Sequence, residues 1–357
     1  MILPDFMNLN GLPVAVTGAN GFIGRALVAS LCQNGAKVTA LLRSRHGMNR
    51  LATMGAATRI VPLDSPAMAQ ALRGQAVLFH CAYDMRASGA ANLAGFSALI
   101  GACEQAGLPR LIHASSTVVY DDWPNGTITE SSPVSTLSGG PYRQAKIAME
   151  ARLRASSLQT AALQPTIVWG PGSAMWTNGP IAALRGGGII LPDPPGLCAA
   201  VHVLDVVQAA LRAAMVPDLG HDRFLINGPG TPTWADLYRG YADLIGSGEV
   251  RLEPHASLLA RIGAPQPAAA QDDNDQPSVA ARISAALRRA IGNQAFETAT
   301  ARLRALRPSR GPQEPDPWSL ALFSARPVIL STHAKTRLGY QPMITLPAGL
   351  ADLAGQL

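Results

Sequence analysis

The stretch LPVAVTGANGFIG, residues 12–24, carries the clearest indication of the fold. A short apolar run enters a glycine-rich turn, and an apolar pattern typical of a helix follows. Gly18 permits a tight turn, Gly21 lets the backbone approach a phosphate, and Gly24 lets the helix pack closely on the strand. Because a helix N-terminus presents N–H donors to anions, the stretch predicts a dinucleotide-binding turn, although its glycine spacing differs from Gly-x-Gly-x-x-Gly.

Beyond this turn, apolar runs of strand length alternate with helical patterns. The predicted strands are residues 12–18, 36–43, 58–64, 76–82, 109–116 and 158–170. The predicted helices are the one that Gly35 ends, followed by 66–72, 88–106 and 139–157. Continuous apolar strands separated by helices are typical of a parallel sheet covered on both faces. The sequence therefore predicts an α/β fold built on a doubly wound parallel sheet.

The second half of the chain is less regular. We predict a dinucleotide-binding domain over 12–170, to which the segment 203–228 returns, and a smaller, mixed α/β, mainly substrate-binding region over 171–357. The proline- and acid-rich stretch 264–278 predicts a mobile loop. Two short amphipathic helices within 279–307 are predicted to form a lid over the substrate crevice.

Composition excludes several classes of protein. The chain has 357 residues, 48% of them hydrophobic, and a net charge of +6. Its local excess of arginine falls on the predicted lid helices and favours a solvated helix face over an RNA or membrane-surface patch. No apolar run reaches the roughly 18 residues of a membrane span, and the scattered cysteines predict no metal site. The opening residues lack a secretory signal, so we expect a cytoplasmic protein. The sequence leaves both a monomer and a homodimer as alternatives.

The end of the second predicted strand bears on the choice of cofactor. An NAD site is expected to carry an acidic residue about 20 residues after the glycines, but Leu42 stands there, followed by Arg43 and Arg45. An uncharged residue backed by arginines suits a 2′-phosphate, which predicts NADP with NAD as the alternative; the arginines could instead cover the adenine edge. Asp64, at the end of the third strand, could accept from the adenine amino group or cap the next helix.

The stretch SGGPYRQAKIAME, residues 138–150, places Tyr142 and Lys146 four positions apart in a predicted helix. Positions i and i+4 are neighbours on one helix face. By itself this spacing fits either a proton-transfer pair or two polar residues on a solvated face.

Taken together, the glycine turn and Tyr142-x-x-x-Lys146 resemble the short-chain dehydrogenase/reductase superfamily, in its extended branch, often labelled NAD-dependent epimerase/dehydratase. Further landmarks match in order, among them HCAYD, TITESSP, TIVWGPG, AVHVLDVVQAAL and LGYQP. The resemblance runs from about residue 12 to residue 350 and implies a Rossmann-type domain that binds NAD or NADP. It is specific for fold and cofactor class and says little about the substrate.

The resemblance also assigns catalytic roles. It implies that Tyr142 is the proton donor or acceptor, that Lys146 stabilises the phenolate and holds the nicotinamide ribose, and that Ser116 binds the substrate oxygen. An ammonium near the phenol is expected to lower the pKa of Tyr142 toward neutral pH. Ser115 and Thr117 are alternatives to Ser116.

Three further positions, Asn92, His80 and Asp205, fall on family landmarks, but each is equally explained as a satisfied polar group in a helix, strand end or cap. The cofactor-binding residues that the resemblance implies are Thr17, Gly18, Asn20, Gly21, Phe22, Ile23, Gly24, Arg43, Asp64, Ala82, Lys146, Pro165 and Ile167.

Departures from the family's pattern bear on the substrate. Relatives that act on nucleotide-sugars usually carry an arginine that grips the substrate diphosphate where this chain has Cys198, and an asparagine where it has Ile167. Because a buried diphosphate needs a charged partner, we predict an NADP-dependent reductase or dehydrogenase of a small, largely uncharged substrate. A nucleotide-sugar epimerase is the alternative, with Arg185 or the lid supplying the charge. A third alternative is not an enzyme: a binding protein that senses the cofactor without catalysing a reaction.

Overall fold

The computed structural model describes residues 9–135, 139–264 and 311–356. The strands are β1 (Pro13–Thr17), β2 (Lys37–Leu42), β3 (Ala57–Ile60), β4 (Val77–His80), β5 (Arg110–Ala114), β6 (Thr127–Ile128), β7 (Gln159–Pro165), β8 (Ile167–Trp169), β9 (Gly188–Asp193), β10 (Ala200–His202), β11 (His221–Ile226), β12 (Glu249–Pro254) and β13 (Val328–Ile329). The α-helices are α1 (Phe22–Gln33), α2 (Met48–Thr53), α3 (Met68–Leu72), α4 (Gly89–Ala106), α5 (Pro141–Arg154), α6 (Gly179–Arg185), α7 (Val203–Met215), α8 (Trp234–Ile245), α9 (His255–Ile262), α10 (Pro317–Ser324), α11 (Thr332–Leu338) and α12 (Leu346–Ala354).

Seven strands form one sheet in the order β11–β7–β5–β4–β1–β2–β3. Every neighbouring pair in it is parallel. From β1 the chain builds outward through β2 and β3, then crosses to β4 and builds the other way. The predicted doubly wound parallel sheet is confirmed, and its strand order reverses between β1 and β4, where such sheets bind their ligands.

Alternate residues of the central strands face two different helical layers. Val14 and Val16 of β1 pack in a cluster with residues of α1 and α7, whereas Ala15 packs with residues of α4 and α5. The predicted helix at 88–106 is α4, in which the Ser88 hydroxyl accepts from the Ala91 N–H, and the left-handed Gly107 ends it. Helices therefore cover both faces of the sheet, and the candidate site lies at the carboxyl ends of its strands.

The predicted strand over 158–170 is two strands. β7 lies in the large sheet, but β8 pairs with β10 in a separate two-stranded sheet. The chain turns away after Thr166, whose N–H donates to the Ile226 carbonyl, and the next N–H, of Ile167, donates to the Ala199 carbonyl. The prediction of a single strand is wrong here: Gln164, Pro165 and Thr166 interrupt the apolar run at the bend, and a proline within a strand pattern indicates an interruption.

The described chain divides into two compact units. Within the described residues, the first comprises 9–135, 139–178, 197–233 and 325–356, and the second comprises 179–196, 234–264 and 311–324. In the second, β9 pairs with β12, and Ile190, Leu258 and Leu320 form a buried apolar cluster. The predicted lid at 279–307, and all of the predicted loop except its first residue, lie outside the described residues.

The last two helices, which fall within the predicted mainly substrate-binding region 171–357, belong to the same compact unit as the sheet. The buried Asp205 carboxylate, in the first turn of α7, accepts from the N–H groups of Met343 and Ile344 at 2.9 and 3.2 Å. The Tyr340 hydroxyl donates to the Asn227 carbonyl at 2.8 Å. These long-range bonds tie the C-terminal segment to the first unit.

Among the helices of the described ranges, none is long and apolar enough to cross a membrane. The same residues contain no group of three or more His, Cys, Asp or Glu side chains placed to hold a metal ion.

Candidate active site

The glycine turn between β1 and α1 has no room for a side chain at two of its glycines. Gly18 has a φ of 67°, and a Cβ on it would lie 2.5 Å from the Ala82 backbone nitrogen. A Cβ on Gly24 would lie 2.2 Å from the Gly18 carbonyl oxygen. The Gly21 N–H donates to the same carbonyl, and α1 begins at Phe22. The turn therefore brings the start of α1 and the ends of β1 and β4 together as a backbone cradle.

A cavity of about 490 Å³ lies beside this turn. The predicted cofactor residues that line it are Thr17, Gly18, Asn20, Gly21, Arg43, Asp64 and Ala82. The lining that the described residues supply does not include Phe22, Ile23, Gly24, Lys146, Pro165 or Ile167. Pro165 and Ile167 instead lie at the end of β7 and the start of β8. The structure thus brings seven of the predicted cofactor residues together around one cavity.

Arg43 forms an ion pair with Asp84, and both residues line the cavity. Arg43 follows β2 and Asp84 follows β4, so the pair joins two strand ends on opposite sides of β1. The hydrogen bond from Arg43 lowers the pKa of the Asp84 carboxyl, and the N–H of Arg86 adds to this effect. The side chain of Arg43 is 73% exposed, so a phosphate in the cavity can compete with Asp84 for the guanidinium.

Asn92 makes the contacts of a structural residue. Its amide group donates to the Asp84 carbonyl at 2.9 Å and accepts from the Asp84 N–H at 2.8 Å. A further bond to the Ser88 carbonyl ties it to the first turn of α4. These bonds shape the loop that carries Asp84, which supports the structural alternative for Asn92.

Tyr142 and Lys146 lie close together at the start of α5, which has Pro141 as its first residue. The rings of Tyr83 and Tyr142 meet edge to face, with centroids 4.9 Å apart. The Lys146 Nζ is 5.0 Å from the Tyr83 centroid and 5.8 Å from the Tyr142 centroid. It donates to the Ala114 carbonyl, at the end of β5, at 2.7 Å. Tyr83 also lines the cavity, so this cluster adjoins the cofactor end of the site.

Burial controls the pKa values of this pair. Burial lowers the pKa of Lys146 to about 8, and the interaction with Glu150 opposes this shift. Burial raises the pKa of Tyr142 to about 12, and a hydrogen bond with Ser116 opposes the shift. We expected the ammonium to lower the pKa of Tyr142. That expectation is wrong for this arrangement, because removal of the phenolate from water outweighs the other effects.

The three adjacent hydroxyls at 115–117 have different partners. The Ser115 hydroxyl donates to the Glu150 carboxylate at 2.5 Å, and the Thr117 hydroxyl donates to the Pro165 carbonyl at 3.3 Å. Ser116 caps the 3-10 turn at Thr117–Val119 and hydrogen-bonds Tyr142. The two alternatives to Ser116 are therefore engaged away from the tyrosine.

The structural alternatives for His80 and Asp205 are also supported. His80 bonds the Thr17 hydroxyl at 2.7 Å and stacks on His113, with ring centroids 5.2 Å apart. Burial, together with the charge of Lys146, lowers the pKa of His80 to about 3, so the imidazole is neutral. The Asp205 carboxylate is committed to the two N–H groups described above, and burial raises its pKa.

Three residues of this region were not identified from the sequence: Tyr83, Asp84 and Glu150. Glu150 stands one helical turn after Lys146, a spacing that could have indicated a charged partner. Tyr83 and Asp84 belong to the landmark HCAYD but carry no local pattern that separates them from a loop.

Comparisons with known proteins agree with this geometry. A family model described as NAD(P)H-binding matches residues 18–169. The 2-alkyl-3-oxoalkanoate reductase of Stenotrophomonas maltophilia is 32% identical over 181 residues, which are 45% of this chain and 52% of that protein. A ketoreductase of Stigmatella aurantiaca that acts on 4-hydroxy-2-methyl-3-oxo-4-farnesyl-3,4-dihydroquinoline-1-oxide is 28% identical over 60% of this chain and 67% of that protein. The chain thus spans about half the length of the first of these relatives.

A solved structure with the same fold is UDP-glucose 4-epimerase of Thermotoga maritima with UDP-glucose. It superposes with a TM-score of 0.66 over 96% of this chain and 97% of that one, at 19% identity. The seven-stranded parallel sheet and its glycine turn agree with these comparisons: residues 18–169 match the NAD(P)H-binding family model, and the fold is shared with this epimerase.

Proposed function

We propose that this protein is an NADP-dependent oxidoreductase that transfers a hydride between the nicotinamide and a carbonyl or carbinol carbon of a small, largely uncharged substrate. The observation that carries this proposal is the cluster of Ser116, Tyr142 and Lys146, in which Lys146 is buried and the other two residues are partly buried. Through Tyr83 the cluster adjoins the cavity at the glycine turn. A proton-transfer group and a dinucleotide cradle therefore lie side by side.

The cradle fits a dinucleotide because Gly18 and Gly24 let the turn, the start of α1 and the segment after β4 approach each other closely, so that backbone borders the cavity there. The turn and the start of α1 would hold the pyrophosphate. Arg43 would hold the 2′-phosphate, Asp64 would lie at the adenine, and Lys146 would bond the nicotinamide ribose. The bound cofactor supplies or accepts the hydride.

The chain's own residues handle the substrate oxygen and its proton. Ser116 would donate a hydrogen bond to that oxygen as negative charge develops on it. Tyr142 would exchange a proton with it, and the nearby ammonium of Lys146 would stabilise the phenolate. Because its pKa is raised to about 12, Tyr142 is a phenol at neutral pH, which suits proton donation during carbonyl reduction. The pKa of Lys146, lowered to about 8, means that its positive charge is lost as pH rises through that value.

For the cofactor, we expect NADPH to bind more tightly than NADH, and Arg43→Gln to weaken NADPH binding about tenfold with little effect on NADH. A hydrogen bond to a charged group contributes roughly 1.5–3 kcal/mol, and the lower end applies because Asp84 already competes for the guanidinium. Titration of both cofactors by protein fluorescence measures the four dissociation constants.

The matched control is Arg73→Gln. It removes the same charge from an exposed position after α3, on the chain segment that leads into the start of β4. We expect it to leave both affinities unchanged. Tighter binding of NADH than NADPH, or equal losses in the Arg43 and Arg73 variants, would contradict the assignment of Arg43.

A ketone-reducing activity is supported by the relatives, which are named as reductases of a 3-oxoalkanoate and of a 3-oxo quinoline compound. At the position where nucleotide-sugar enzymes usually have an arginine, Cys198 is fully buried and burial raises the pKa of its thiol. A buried neutral thiol is a poor partner for a diphosphate. An epimerase of nucleotide-sugars is the second candidate, because the shared fold accommodates one in Thermotoga maritima.

A thermal-shift screen with NADP present separates these candidates. A ligand at 100 times its dissociation constant adds about 2.7 kcal/mol to the free energy of unfolding, so we expect apolar ketones or alcohols to raise Tm measurably. Nucleotide-sugars are expected to leave Tm unchanged. Stabilisation by a UDP-, GDP- or dTDP-sugar, with none from any uncharged carbonyl compound, would reverse the proposal. A cofactor-sensing protein would show a shift with NADP and no turnover of any compound.

A further inference from the structure

Glu150 is a buried carboxylate one helical turn after Lys146. Its side chain is 2% exposed. Such a group is costly to hold in the interior unless hydrogen bonds and opposite charges stabilise it. The described structure provides both kinds of partner.

One carboxylate oxygen, Oε1, accepts from two side chains. The Ser115 hydroxyl donates to it at 2.5 Å, and the Gln164 amide donates at 2.8 Å. The other oxygen, Oε2, lies 3.1 Å from Nη2 of Arg223. Gln164 in turn accepts from the Tyr120 hydroxyl at 2.6 Å. The carboxylate of α5 is thus bound to the end of β5, to β7 and to β11.

These bonds fix the two segments that carry the proposed catalytic groups. Ser115 immediately precedes Ser116, and Tyr120 follows the 3-10 turn that Ser116 begins. Tyr142 and Lys146 lie on the same helix as Glu150. A single buried group therefore holds the serine segment against the helix of the tyrosine and the lysine.

The charge of Glu150 also acts on Lys146. Among the groups that act on the lysine, Glu150 lies on its own helix, Cys81 and His80 come from the end of β4, and His113 comes from β5. Tyr83 and Tyr142 face it with their rings. Burial keeps His80 and His113 neutral, and burial raises the pKa of Cys81 to about 12, so it is a thiol at neutral pH. Among these facing groups, Glu150 is the carboxylic residue.

We propose that Glu150 is a positioning residue for the hydride transfer: its carboxylate supplies a counter-charge one helical turn from the Lys146 ammonium and holds the Ser115–Ser116 segment against α5. This inference rests on the proposed function for its catalytic meaning. The interaction with Lys146 itself can be measured without any substrate.

The measurement uses the chain's small number of lysines. The sequence contains only Lys37, Lys146 and Lys335, and the first and last are exposed. Protein labelled with ¹³C at the lysine Cε gives one NMR signal per lysine, and Lys146→Arg assigns the central one. In Glu150→Gln we expect the pKa of Lys146 to fall by roughly one unit, the lower end of the effect of a nearby opposite charge. The signals of Lys37 and Lys335 should not move.

Glu150→Asp is the matched control, because it keeps the charge and shortens the side chain; we expect the pKa of Lys146 to stay close to its wild-type value. An unchanged pKa in Glu150→Gln, or an equal fall in both variants, would overturn the proposal. If Glu150→Gln does not fold, Arg223→Gln replaces it. Loss of the competing guanidinium should then raise the pKa of Lys146, and a fall or no change would overturn the proposal.

Once a substrate is known, the alkaline limb of kcat/KM in Glu150→Gln should move to lower pH by the shift that NMR records. A shift in the NMR titration without any turnover in the wild type would count against the proposed function and leave the coupling of Glu150 to Lys146 standing. If the alkaline limb of kcat/KM in the wild-type enzyme does not follow the pKa that NMR records for Lys146, the positioning role of Glu150 is overturned. The proposed function is not affected by that outcome.

Discussion

Tyr142→Phe is expected to lower kcat by about 10²–10⁴-fold, the range for loss of one positioned acid–base group. The variant keeps the ring that packs edge to face on Tyr83 and removes the hydroxyl that bonds Ser116. Substrate and cofactor affinity should change little, because the lost interaction is made mainly when the proton moves. Consumption of NADPH under single-turnover conditions measures the step directly.

Tyr340→Phe is the control for loss of a buried tyrosine hydroxyl. Tyr340 lies in the C-terminal segment, and its hydroxyl donates to the Asn227 carbonyl. Tyr340 is not among the described residues that line the cavity. We expect a loss of roughly 1 kcal/mol in the free energy of unfolding and a kcat within about twofold of the wild type. Near-full turnover by Tyr142→Phe would exclude the phenol as the proton donor.

Gly24→Ala is expected to have the largest effect on the cofactor site. Its Cβ would lie 2.2 Å from the Gly18 carbonyl oxygen and 2.8 Å from the Gly18 carbonyl carbon. Both are backbone atoms, so α1 and the turn have to move apart. We expect a loss of about 1–3 kcal/mol in the free energy of unfolding, as for other overpacked sites. The displaced turn should also weaken NADPH binding at least tenfold, which a fluorescence titration and urea unfolding would measure together.

Gly101→Ala provides the comparison on α4. No atom lies within 4 Å of the position that its Cβ would take, and the residue is exposed in the helix interior. Alanine should stabilise the helix there by roughly 0.5–1 kcal/mol without changing cofactor affinity. If Gly24→Ala proved as stable as the wild type and bound NADPH as tightly, the close approach of α1 to the turn would not be a requirement of the site.

The sheet was predictable from the sequence because its central strands are buried on both faces. Runs such as residues 76–82 are therefore continuously apolar and are bounded by polar or glycine-containing turns. The bend at Thr166 was not predicted, although Gln164, Pro165 and Thr166 interrupt the apolar run there and a proline in a strand pattern indicates an interruption. The short helix α2, which has Leu51 as its buried residue, has too few apolar positions for a periodic signal.

The site was predictable where a local pattern carries it, as at the glycine turn and at Tyr142 and Lys146. It was not predictable where partners come from distant parts of the chain. The ion pair of Arg43 with Asp84 depends on strand order, because β2 and β4 are separated by β1 in the sheet. The high pKa of Tyr142 depends on burial, which a motif does not encode. Glu150 shows both limits, since its spacing from Lys146 is local but its other partners lie on β7, β11 and the end of β5.

The contact of Asp205 with Met343 and Ile344 has a consequence for biosynthesis. A ribosome releases the chain N-terminus first at about 5–20 residues per second, so this carboxylate leaves it roughly 7–28 s before the N–H groups that lie 138 and 139 positions later. Until then, native packing of α7 against the sheet would bury an acidic group without its partners, which is unfavourable. The nascent chain should therefore keep the helix-covered face around α7 open after α7 itself has been made, and close it only when Met343 and Ile344 have left the ribosome.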